Sequence, residues 1–85
     1  MAEELQLRTH QGRPLTASSS GVEWAEHVEW TTVGGQVYYE EDQVHRHTLE
    51  AIASDPSAQR DLRTALPERE CLEVIAFAQV HATLK

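Results

Sequence analysis

The stretch from Val22 to His47, VEWAEHVEWTTVGGQVYYEEDQVHRH, constrains the fold most, because a Gly34-Gly35 pair stands between two runs of strand-forming residues. Before the glycines, Val22, Trp24, Val28, Trp30 and Thr32 share one parity, while Glu23, His27, Glu29 and Thr31 share the other. That alternation belongs to a half-buried strand, and only Glu26 breaks its inner face. A helix is the alternative: Ser20 and Glu23 have capping-box spacing and Gly34 could stop it. It would place Trp24 and Trp30 on nearly opposite sides, so the strand is preferred.

A two-residue loop at Gly34-Gly35 fixes the register of the resulting hairpin. Val33 then faces Gln36, Thr32 faces Val37, Thr31 faces Tyr38, Trp30 faces Tyr39, Glu29 faces Glu40 and His27 faces Asp42. The inner face holds Val28, Trp30, Thr32, Val37 and Tyr39, and needs a cover. The outer face sets Glu29 against Glu40, a like-charge pair that opposes folding unless a cation or a basic partner screens it.

Downstream the period lengthens. Asp42 is expected to cap a helix whose apolar side is Val44, Thr48, Ala51 and Ile52 with Leu49 adjoining, ending near Ser54. Asp55-Pro56 restarts the chain as cap and first helical residue, Ala58, Leu62, Ala65 and Leu66 form the next stripe, and Pro67 ends it. The last segment is apolar nearly all round from Val74 to Ala78 and rich in alanine, which predicts a buried helix serving as the hub of the core. A strand is the alternative there, since Leu72, Val74, Ala76, Ala78, Val80, Ala82 and Leu84 share a parity. Upstream, Leu5 and Leu7 allow a short edge strand, but Gly12, Pro14 and Ser18-Ser19-Ser20-Gly21 read as linker. The expected fold class is α+β: a β-hairpin (about 27–41) packed on two or three helices (about 42–54, 56–66 and 68–83). Residues 1–21 are a flexible lead-in and 22–85 a single small domain.

Eighty-five residues make one domain at most, with a thin stability margin that a partner or a homo-oligomer would widen. Fourteen acids against seven Lys and Arg give a net charge of −7, which repels phosphates and argues against direct nucleic-acid binding. Cys71 is the sole cysteine, which excludes an intrachain disulfide and fits a reducing compartment. The opening MAEELQLRTHQ lacks the apolar segment of a signal peptide, and no stretch is apolar for long enough to span a membrane. A soluble cytoplasmic protein is expected.

The residues that could carry chemistry cluster on the hairpin. His27, Glu29, Glu40 and Asp42 share its outer face, with His45 and His47 just beyond. Carboxylates and imidazoles suit a divalent metal, and on a helix Glu41 and His45 would lie one turn apart. A metal set of His27, Glu40, Asp42 and His45 is thus the second reading, although no metal or cofactor is assigned. Cys71 lies beside Glu70 and Glu73, which raise a thiol pKa, and reads as a buried structural residue. His81 reads as core or rim, Ser18 to Ser20 lack a nucleophile-elbow setting, and Gly34-Gly35 lacks the rest of a phosphate loop. No acid, base and nucleophile can be assembled, so the chain is read as a non-enzyme.

Ala65-Leu66-Pro67-Glu68-Arg69-Glu70, followed by Leu72, Val74 and Ile75, resembles the opening of the helix-turn-helix region of sigma factors and related bacterial regulators. The likeness covers under twenty residues. Those families continue into a turn and a basic recognition helix, so the resemblance implies a fragment of a helical transcription regulator and brings no functional residue with it. The preferred reading is a small acidic protein-interaction module, a regulator or inhibitor that engages a basic partner surface through Glu23, Glu29, Glu40, Glu41 and Asp42, with Trp24 and Tyr38 as aromatic anchors.

Overall fold

The structure, a computed structural model, describes residues 3–32 and 34–82, the side chains of Val37 and Tyr38 excepted. Four antiparallel strands form a meander in chain order, β1 (Glu4–Arg8), β2 (Pro14–Ser18), β3 (Gly21–Thr31) and β4 (Val37–His47). Three helices follow, α1 (Leu49–Ser54), α2 (Pro56–Ala65) and α3 (Glu68–Ala82). The fold is α+β, as the pattern of periods implied.

All three helices lie on one face of the sheet. Leu15, Ala17, Val22 and Trp24 point into the core from β2 and β3, and meet Leu49, Ile52, Ala58, Leu62, Leu66, Cys71, Val74 and Ala78 from the helical side. The period-2 face and the 3.6-period stripes therefore bury each other, which is the main source of stability in so short a chain. Leu5 and Leu7 close the margin of this core from the edge strand β1.

The N-terminal segment is thus part of the domain rather than a lead-in to it. Leu15 and Ala17 are wholly buried. Gly12, at φ +78°, belongs to a tight turn in which the Gly12 N–H donates to the Thr9 carbonyl and the Thr9 N–H to the Arg13 carbonyl. The His10 N–H ties that turn to the Ala65 carbonyl at the end of α2. What resembles linker composition is turn chemistry at either end of a short strand.

β4 departs from expectation in the other direction. Residues 42–47 continue the strand, pairing Asp42 with His27, Val44 with Ala25 and His47 with Val22, so the first helix begins at Leu49 and not at Asp42. Thr48 caps it, its hydroxyl accepting from the Ala51 N–H at 3.1 Å. Val44, expected on a buried helical stripe, is 61 % exposed on the sheet face away from the helices. The next two boundaries stand where the sequence put them: the Asp55 carboxylate accepts from the Ser57 N–H with Pro56 in the first turn, and Leu66-Pro67 separates α2 from α3.

α3 touches α1, α2, β1 and β2, and so acts as the hub. It is not buried all round. Cys71, Val74, Ile75 and Ala78 face inward, while Leu72 and Val80 are more than half exposed.

β2 covers β3 only from Gly21 to Trp24. Beyond that level β3 and β4 run on as a two-stranded arm, which gives the molecule its elongated shape of 51 × 25 × 20 Å. The face expected to be covered, Val28, Trp30 and Tyr39, has the right parity but lies past the reach of the helices, leaving Trp30 41 % and Tyr39 53 % exposed. Trp30 still faces Tyr39, Glu29 faces Glu40 and His27 faces Asp42. The register then shifts, so that Thr31 pairs with Val37 instead of Tyr38. The loop is longer than two residues: the Gly35 N–H donates to the Thr32 carbonyl, and the Thr32 N–H to the Gln36 carbonyl. Gly35 supplies the positive φ, +83°. The expected Val33–Gln36 pair falls outside the described residues.

Candidate functional site

The arm has two chemically different faces, because strand alternation sends neighbouring residues to opposite sides. Between Ala25 and Gln43 it contains five acids and neither Lys nor Arg.

On the face away from the helices, His27 stands among three carboxylates. Its Nδ1 lies 3.2 Å from Asp42 Oδ1, and its Nε2 lies 3.3 Å from Glu29 Oε1 and 3.5 Å from Glu40 Oε2. Arg13 grips Asp42 from the β1–β2 turn with two hydrogen bonds of 3.0 and 3.2 Å. Gln11, from the same turn, donates to the His27 carbonyl and accepts from the His27 N–H at 2.7 Å, so its side chain extends the sheet where β2 has stopped. The hydrogen bond to Asp42, then that to Glu29 and the charge of Glu40, raise the His27 pKa above its ordinary 6.5. Asp42 is held below the usual carboxylate range by His27 first and Arg13 second. When protonated, the imidazole between Glu29 and Glu40 offsets the repulsion between these two acids.

Nε2 of His27 and one oxygen each of Glu29 and Glu40 all lie within 4.8 Å of one another. This differs from the metal set read off the sequence. His45 and Glu41 lie on a strand and not on a helix, and both point to the other face, so His45 cannot join His27. Glu29 takes its place, and Asp42 moves to the far side of the ring, where it orients Nδ1.

The helix-side face is occupied differently at its two ends. At the base, Trp24 is 4 % exposed and packs against two imidazoles, stacked on His45 at 5.0 Å and tilted against His47 at 5.7 Å. Each imidazole reaches a carboxylate, His45 Nε2 meeting Glu26 at 3.0 Å and His47 Nε2 meeting Asp61 at 3.3 Å. The second contact has the distance of an ion pair without the alignment of a hydrogen bond. Trp24 is therefore core, and its expected part as a partner anchor is withdrawn. Towards the tip, Trp30 and Tyr39 pack at 5.1 Å, and the Tyr39 hydroxyl donates to Glu41, which raises the Tyr39 pKa.

Of the other expected contact residues, Glu23 is exposed and paired with Arg46 at 3.1 Å, and Glu29 and Glu40 lie together on the back face of the arm. Glu41 lies on the opposite face. Asp42 is engaged by Arg13 and His27. The anchor role expected of Tyr38 rests on a side chain outside the described residues. Sequence reasoning missed Arg13 and Gln11, for which the signal is long-range: nothing local to Gln11-Gly12-Arg13 says that this turn reaches His27 and Asp42. Cys71 is buried, its Sγ donating to the Leu62 and Leu66 carbonyls, and burial, with Glu68 adding to it, pushes the thiol pKa up, so it takes no part in the site.

No protein-family model matches the chain, and neither the curated proteins nor the solved structures contain a match.

Proposed function

We propose that this chain is a small protein-interaction module that presents the β3–β4 arm to a basic surface of a partner protein. What supports the reading is the arm itself, a projecting two-stranded ribbon with five acids, neither Lys nor Arg, and an exposed indole near its tip. Acids on a projecting element steer a basic partner and favour fast encounter, and an exposed tryptophan can supply the desolvated contact that carries most of the binding energy. Trp30 with Glu41 on one face of the ribbon, and Glu29 with Glu40 on the other, are the residues assigned to a partner that grips the arm from both sides. The same charge argues against nucleic acid as the direct ligand.

The test is capture from extract of the native host with the unaltered chain, Glu29→Lys and Trp30→Ala, each at two salt concentrations. One protein should be held by the unaltered chain and released by salt, and it should be lost with both variants. Equal capture by all three would remove the arm from the function.

A second reading is divalent-metal binding by His27, Glu29 and Glu40. Its specific support is the fixing of the imidazole: Arg13 holds Asp42 and Asp42 holds Nδ1, the arrangement that orients a ligating histidine, while Nε2 is left to the two glutamates. Calorimetric titration with Zn²⁺ and Ni²⁺ decides this. Heat that disappears in His27→Gln supports it, and no heat above buffer ends it.

A further inference from the structure

β4 is the outermost strand of the sheet, 11 residues long, and among the described residues no strand pairs with its other edge. It contains neither proline nor lysine, two residues that commonly blunt such an edge, and the one irregularity in its pairing with β3 lies near the tip. The direction of its free backbone groups follows from β3. His27 gives both its N–H and its carbonyl to Gln11, on the side away from β4. In the directly opposed pair His27–Asp42, the same groups of Asp42 must also point away from β3. Alternation then turns the backbone groups of Glu40, Asp42, Val44 and Arg46 to the open edge, a ladder of donors and acceptors ready for another strand.

The side chains of β4 specify which strand. Its first half carries Glu40, Glu41 and Asp42, and its second half His45, Arg46 and His47. A second β4 laid antiparallel, with Gln43 facing Gln43, sets Glu40 opposite Arg46 and Glu41 opposite His45, each twice across the two-fold axis. Asp42 falls opposite Val44. Opposed residues in an antiparallel pair share a face, and this register respects that parity, so both helical layers come to the same side. A parallel mate in register would set acid against acid.

We propose that this chain forms a two-fold dimer through antiparallel pairing of β4 with the β4 of a second copy, which joins the two four-stranded sheets into one. The inference goes beyond the function proposed above and does not depend on it: β3 lies on the far side of each arm and keeps Glu29 and Trp30 outward, while Glu40 and Glu41 fall at the seam of the dimer.

Sedimentation equilibrium or light scattering on the purified chain tests this without any other partner. The unaltered protein should show a concentration-dependent mass rising towards twice the 9.6 kDa of one chain. Arg46→Glu should weaken self-association by roughly tenfold or more, and adding Glu40→Arg to the same chain should restore it. Val44→Pro should give a monomer with the fold retained by circular dichroism, since the lost N–H faces the open edge and not β3. If that variant unfolds, the charge exchange still decides. A monomer at every concentration overturns the proposal, as does a dimer indifferent to both the charge exchange and the proline.

Discussion

His27 stands between two glutamates that face each other across the β3–β4 ladder, and each of its ring nitrogens meets a carboxylate. Because its folded pKa is raised above 6.5, the stabilisation it brings is fully present below that value and is lost as pH rises through the folded pKa. Asp42, whose pKa is lowered from 3.8, contributes in the opposite sense: its stabilisation is present above 3.8 and is lost as pH falls through its folded value. The arm should therefore be most firmly closed between those limits. An NMR titration of the imidazole should give a midpoint above 6.5 that drops in Asp42→Asn; a midpoint at or below 6.5 would contradict the geometry. In the core, Leu62 is wholly buried between the helices and the sheet, and Leu62→Ala should cost about 2–5 kcal/mol in urea unfolding. At this scale the Glu29–Glu40 conflict was legible from alternation alone. Its resolution was only half legible, because His27 is local to the hairpin and Arg13 is brought in from β2's approach, 29 residues before Asp42.

The elements are punctuated by residues whose backbone needs differ, and substitution should reveal the difference. Gly21 opens β3 at φ +127°, and a Cβ there would lie 2.5 Å from the His47 carbonyl oxygen, a backbone atom that cannot move aside. Gly35, at φ +83° in the loop of the arm, would meet nothing within 4 Å. Gly21→Ala should thus lower the melting temperature clearly more than Gly35→Ala, whose cost is the conformation alone, about 1–2 kcal/mol. Thr48→Ala should cost about 0.5–2 kcal/mol by removing the cap of α1. Helix boundaries set by Asp55-Pro56 and Pro67 could be read directly, since a cap or a proline acts within a few residues of itself. The end of β4 could not. Val44, Thr48 and Ile52 have helical spacing, and only the ladder to Val22, Trp24 and Ala25 holds residues 42–47 extended.

The whole molecule divides into a helix-backed body and an unbacked arm. A two-stranded ribbon is marginal on its own, so native-state hydrogen exchange of the monomer should find the amides that bond across the β3–β4 ladder at residues 28, 30, 39 and 41 opening with far smaller free energies than those at residues 22, 24, 45 and 47. Uniform protection along β3 and β4 would mean that something covers the arm. The sequence announced the hairpin because its period is strict, but could not say how far the helices reach along it; it allowed β1 through Leu5 and Leu7, and hid β2 because that strand holds only two apolar inward residues between turn-forming runs. That division also separates the two indoles. Trp24 is 4 % exposed in the body and Trp30 is 41 % exposed on the arm. The chain consequently carries two built-in optical reporters: a quencher such as acrylamide dims the emission of Trp30 while sparing that of Trp24, and a Trp24→Phe or Trp30→Phe chain isolates either signal. Engagement of the arm and melting of the body can then be followed as separate fluorescence changes, without any attached dye.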